Sequence, residues 1–249
     1  MDKTITLVVL PGLDGTDVFF RPSLALLPAW IRPVVVSYPS SGANGYEDLF
    51  RVVREKVSQI PDFYVVGSSF SGPLAVMLAA AEPARVRGMI LSATFLRPPK
   101  KNLPRFKFAM IWQVIWALRF ARRIPVWVLR KQDDPFRLAK AETWARVSAR
   151  CLASRVRAVL GVDVREPFKK CNQPILCIAF DDDRVVPRHN AEEILFHRPS
   201  AKLAVIPGDH LAMCKDPADW TREITGFIQE QENARQLCCE PTPRDGIVT

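Results

Sequence analysis

Short apolar runs alternate with helix-patterned segments along most of this chain. That alternation constrains the fold more than any other feature. Ile5–Leu10 is an apolar strand, closed by the tight loop Pro11-Gly12-Leu13-Asp14-Gly15-Thr16. Residues 19–27 suit a short helix, and 32–38 (R-P-V-V-V-S-Y) a β-branched second strand. Residues 46–60 carry Leu49, Phe50, Val53, Val57 and Ile60 at helical spacing, opposite a charged face. A strand at 62–66, a small apolar helix at 73–81 and a strand at 89–93 follow. Later the pattern resumes, with strands at 175–180 and 201–206 and helices at 188–196 and 217–229. Strands alternating with helices imply βαβ units. The fold class is α/β, with a mostly parallel, doubly wound sheet of about six strands.

Between residues 97 and 170 the alternation stops. Basic helices are expected at about 106–120, 124–131, 135–141 and 142–160. This segment holds 19 Lys/Arg against 5 Asp/Glu, whereas the rest of the chain holds 16 against 21. So sharp a contrast marks a separate module. We read 97–170 as a helical cap inserted into a core spanning 1–230. Residues 231–249 are polar and hold two prolines, which reads as a disordered tail.

The 249-residue length suits one large domain, and 48% hydrophobic residues can bury a full core. No run of about 18 apolar residues indicates a membrane span. The start M-D-K-T-I-T-L-V-V-L-P has no signal-peptide pattern, so a cytoplasmic protein is expected. The six cysteines make no C-x-x-C pair and no zinc-type spacing with histidine, so no metal site is expected.

The stretch V-V-G-S-S-F-S-G follows a strand and precedes a helix. A G-x-S-x-G nucleophile elbow needs that setting, because a sharp turn must hold the serine above the sheet edge. The residues two before and two after the nucleophile crowd each other and must be small. For Ser68 they are Val66 and Phe70, and for Ser71 they are Ser69 and Pro73. Only Ser69, between Gly67 and Ser71, meets the requirement. Ser71 stands where glycine is more usual. A plain Ser/Gly turn is the alternative reading, so a base and an acid must be found downstream.

Three histidines are present, and His210 lies in P-G-D-H directly after a strand. Catalytic groups gather at that edge of a parallel sheet. Asp181, Asp182 and Asp183 follow the preceding strand. One carboxylate must hold the imidazole and stabilise its cation. Asp183 is the first candidate and Asp182 the second. An oxyanion needs two N–H donors, for which the backbones of Phe70 and Leu13 are placed. Asp14 either shapes its loop or faces substrate.

With P-G-L-D-G-T, G-S-S-F-S-G, D-R-V-V-P and G-D-H in this order, the chain resembles the α/β-hydrolase superfamily over residues 1–96 and 171–230. The loop L-P-G-L-D-G-T is also similar to that of plant plastid esterase/acyltransferase-like members. Family acids often stand before x-x-V-P, which favours Asp183. The resemblance implies serine-hydrolase chemistry without a cofactor. An ester or thioester would be cleaved through an acyl-enzyme on Ser69. Acyl transfer by the same residues, or a non-catalytic binding protein of this fold, are the alternatives it leaves.

In the cap, Trp112 and Trp116 share a helix face and are candidates for contact with an acyl chain. Arg119, Arg122, Arg123, Arg130 and Lys131 favour an anionic leaving group or an anionic membrane surface. No nucleic-acid partner is expected, because the basic residues are not interleaved with stacking aromatics.

Overall fold

The computed structural model describes residues 4–100 and 135–239. Six parallel strands form one sheet in the order β2-β1-β3-β4-β5-β6. They are β1 (Ile5–Leu10), β2 (Ile31–Val35), β3 (Phe63–Ser68), β4 (Val86–Ser92), β5 (Ile175–Phe180) and β6 (Lys202–Ile206). β1, β3, β4 and β5 are buried along their whole length, which is why they read as unbroken apolar runs. β2 and β6 are the partly exposed edges. Pro33, which has no N–H to donate, is accommodated because β2 pairs with β1 alone.

Helices cover both faces. On one side α2 (Tyr46–Val57) and α3 (Gly72–Ala81) bury Leu49, Val53, Val57, Leu74 and Leu78 against Val8, Leu10 and Val65. On the other, Phe20 before the short α1 (Arg21–Leu24) joins Trp220, Ile224 and Phe227 against Leu7, Val9 and Val66. Alternate residues of one strand thus feed opposite layers. Each fully buried Leu, Val or Phe contributes roughly 1.5–3 kcal/mol. The chain turns from β1 to β2 on one side and then to β3 on the other. The strand order therefore reverses between β1 and β3, where ligand crevices form in such sheets.

The described part of the inserted segment is helical: α4 (Pro135–Arg146), α5 (Ala149–Gly161) and α6 (Arg165–Lys169). The break falls at Val147-Ser148, not near 141 as expected, because Ser148 caps α5 by accepting the Cys151 N–H. α4 is latched to the core. Arg21 pairs with Asp17 and Glu142, and Arg146 pairs with the same two carboxylates. Trp112, Trp116 and the expected helices at 106–120 and 124–131 lie outside the described residues.

The remaining elements are α7 (His189–His197), α8 (Ala212–Lys215) and α9 (Pro217–Cys239). The tail reading needs correction, since 231–239 continue α9. Glu, Gln, Ala and Arg are good helix formers despite their polarity. The extension is also docked. Tyr64 donates to Glu232 at 2.8 Å, and Arg87 pairs with Glu232 and Asp62, each at 2.7 Å. Among the described residues, no helix is long and apolar enough to cross a membrane.

Candidate active site

The register of the sheet brings the candidate loops together. Leu10 lies level with Gly67, so the loop after β1 and the elbow after β3 start side by side. Phe180 lies level with Ile206, so the loops carrying Asp183 and His210 do the same. Those two loops are also cross-linked. The Asp182 N–H donates to the Gly208 carbonyl, and the Gly208 N–H donates to Asp181 Oδ1 at 2.8 Å.

Ser69 has φ +50°, in the left-handed region that a non-glycine residue adopts only under constraint. The constraint is visible around it. A Cβ on Gly67 would stand 2.7 Å from both the Ala75 Cβ and the Ser71 carbonyl oxygen, so that flank must be glycine. Thr94 donates to the Ser69 carbonyl at 2.5 Å. Tyr46 donates to the Phe70 carbonyl at 2.9 Å, and the two rings stack with centroids 4.8 Å apart.

His210 Nε2 lies 2.8 Å from Ser69 Oγ, and His210 Nδ1 lies 2.7 Å from Asp183 Oδ2. The Asp183 side chain is only 1% exposed, and its Oδ1 accepts the Val185 and Val186 N–H groups, each at 2.8 Å. Both oxygens are therefore fixed in direction. Asp182 faces outward and pairs with Arg184. Of the three consecutive aspartates, Asp183 is the one that meets the imidazole. This is the arrangement in which an imidazole can take a hydroxyl proton while a carboxylate holds its tautomer.

Among the described residues, neither the Leu13 nor the Phe70 N–H has an acceptor. Each is aimed by the carbonyl of its own peptide, which points the opposite way across a trans plane. The Gly12 carbonyl accepts the Gly15 N–H at 3.0 Å, and the Ser69 carbonyl accepts the Thr94 hydroxyl. Asp14 folds onto its own loop, where its Oδ2 accepts the Thr16 N–H at 2.9 Å and the Thr16 hydroxyl. Burial pushes this carboxyl above its ordinary value, and the Thr16 bonds oppose the shift.

Three polar residues that sequence reasoning passed over or undervalued hold these parts together. Ser71 is more than small: its hydroxyl donates to the Pro11 carbonyl and accepts from Tyr38 at 2.5 Å. The elbow and the first loop are joined through that hydroxyl. Tyr38 is buried, and burial pushes its phenol well above the usual range, so it is a donor. Arg155 of α5 reaches the carbonyls of Leu13 and Asp14 at 2.9 and 2.8 Å. Its spacing from the buried Cys151 on the same helix was the available signal, and a weak one.

Comparison with known proteins agrees with this fold. A family model described as alpha/beta hydrolase family matches residues 7–224. Pyrrolizixenacetamide deacetylase of Xenorhabdus hominickii is 22% identical over 229 residues, covering 84% of each chain. A carboxylesterase structure from the thaumarchaeon Nitrososphaera gargenis superposes with a TM-score of 0.77 at 19% identity, covering 93% of this chain and 92% of that one. A bromoperoxidase from Bacillus anthracis does so with a TM-score of 0.75 at 17% identity, covering 93% and 92%. The two structures share the fold, and the family match supports hydrolase activity. The chain belongs to the alpha/beta hydrolase family.

Proposed function

We propose that this protein is a serine hydrolase that cleaves a carboxylic ester or thioester through an acyl-enzyme on Ser69. The observation carrying the reading is the relay of 2.8 Å from Ser69 Oγ to His210 Nε2 and 2.7 Å from His210 Nδ1 to Asp183 Oδ2. Ser69 Oγ attacks the acyl carbonyl as its proton passes to Nε2. Asp183 keeps the other proton on Nδ1 and stabilises the imidazolium. The tetrahedral oxyanion takes the free N–H groups of Leu13 and Phe70, each worth about 2.7–4 kcal/mol of transition-state stabilisation. Collapse breaks the bond to the leaving group, which receives the proton from His210. Water, deprotonated by His210, then attacks the acyl-enzyme, and His210 returns that proton to Ser69 Oγ as the acid is released.

The inserted segment serves in this reading as a cap over the site, and its many basic residues suit a leaving group bearing negative charge. A second reading, hydrolysis of an acetamide, is favoured by the name of the Xenorhabdus relative. A panel of p-nitrophenyl esters, acyl-coenzyme A thioesters and p-nitroacetanilide tests both. Turnover of esters or thioesters that Ser69→Ala abolishes supports the first reading. Turnover of the anilide alone moves the assignment to the second. No turnover of any of them contradicts both.

A further inference from the structure

We propose that Arg155, on the inserted helix α5, is a positioning residue that holds the oxyanion loop in its working shape. The inference rests on the hydrolase reading above and deepens it. Arg155 is fully buried, 0% exposed, and among the described residues no carboxylate bonds its guanidinium. Removing such a charge from water costs several kcal/mol unless hydrogen bonds replace the solvent.

The replacement is complete. Nε donates to Asn44 Oδ1 at 3.0 Å, and Nη2 to the same oxygen at 2.8 Å and to the Pro39 carbonyl at 2.9 Å. Nη1 donates to the Leu13 and Asp14 carbonyls. A guanidinium has five N–H groups, and all are used. None remains for a substrate, so an anion-binding role for Arg155 does not fit.

What Arg155 grips is the stretch that carries the Leu13 N–H. It fixes the two peptides immediately after that donor. It also packs against Gly15, at φ +70°, where a Cβ would stand 2.6 Å from Nη1. The same guanidinium lies over the Tyr38 ring, 5.4 Å from its centroid, and Tyr38 holds Ser71 in the elbow. One cation from the inserted segment thus braces both halves of the oxyanion hole.

The test compares wild type with Arg155→Ala and Arg155→Lys on a p-nitrophenyl ester. It reads kcat, KM, thermal unfolding and the affinity of a trifluoromethyl ketone, which forms an oxyanion on Ser69. Arg155→Ala is expected to lose about 10- to 100-fold in kcat, with KM within about twofold. Trifluoromethyl ketone affinity should fall in step with kcat/KM, and added guanidinium ion should restore part of the activity of the variant only. Lysine keeps the charge but has three N–H groups for four acceptors, so folded Arg155→Lys should also lose kcat. Wild-type kcat in either folded variant, or a loss confined to KM, overturns the inference. If Arg155→Ala does not fold, Arg155→Lys alone decides. A wild-type protein without turnover overturns the hydrolase reading instead.

Discussion

The Thr94 hydroxyl bonds the Ser69 carbonyl, and through that bond it sets the direction of the Phe70 N–H. Ser69 C=O and Phe70 N–H belong to one planar peptide, so holding the first aims the second. Thr94→Val keeps the shape and removes the donor. We expect a loss of about tenfold in kcat at near-constant KM, with Thr94→Ser restoring most of it. Unchanged kcat in Thr94→Val would show that the elbow holds this peptide by itself.

Ser71 gives a stability prediction. Ser71→Ala leaves the buried Tyr38 hydroxyl and the Pro11 carbonyl without their shared partner. Denaturant unfolding should show a loss of about 1–3 kcal/mol. Ser71→Gly, which restores the residue more usual at this elbow position, should lose no less. A glycine variant as stable as wild type would mean that smallness alone is what the position requires.

Asp14 gives a pH dependence. Its carboxyl value is raised above 3.8 by burial, so the folded protein holds this proton more tightly than the unfolded chain. Wherever the native state binds more protons, stability falls as pH rises. The contribution is whole below 3.8 and is lost as pH climbs through the raised value. Asp14→Asn removes that loss, so its stability relative to wild type should improve across the window and then level off. Unfolding midpoints measured from about pH 4 to about pH 7 check this. Parallel curves would refute it.

Glu232 tests the docked end of α9. Glu232→Ala leaves the Tyr64 hydroxyl unpaired and Arg87 with Asp62 alone. The expected cost is about 1–3 kcal/mol in unfolding free energy, with ester turnover unchanged, because the cluster lies at the opposite edge of the sheet from Ser69. A turnover defect as large as the stability defect would contradict that separation.

The core strands were legible because parallel strands buried on both faces leave unbroken apolar runs. Ser69 and Asp183 could be read because each follows such a run, and His210 because it follows the edge strand β6, where loops gather at the same ends of the strands. Arg155 could not be read in that way. It meets Leu13 across 142 positions of sequence, and no local pattern reports a contact of that kind. Ser71 and Thr94 were hidden for a related reason, since a buried hydroxyl is defined by its acceptor and not by its neighbours in the chain. The end of α9 reads as disordered from its polarity alone. Its helix-forming residues and its anchor on Tyr64 and Arg87 decided otherwise.

The most direct measurement is fluorophosphonate labelling of the intact protein, with the modified residue located by peptide mapping. We predict one adduct, on Ser69 and on neither Ser68 nor Ser71. Ser69→Ala should abolish labelling and ester turnover together, and His210→Ala should slow both by at least about a thousandfold. An adduct elsewhere, or turnover that survives Ser69→Ala, would contradict the assignment of Ser69 as the nucleophile.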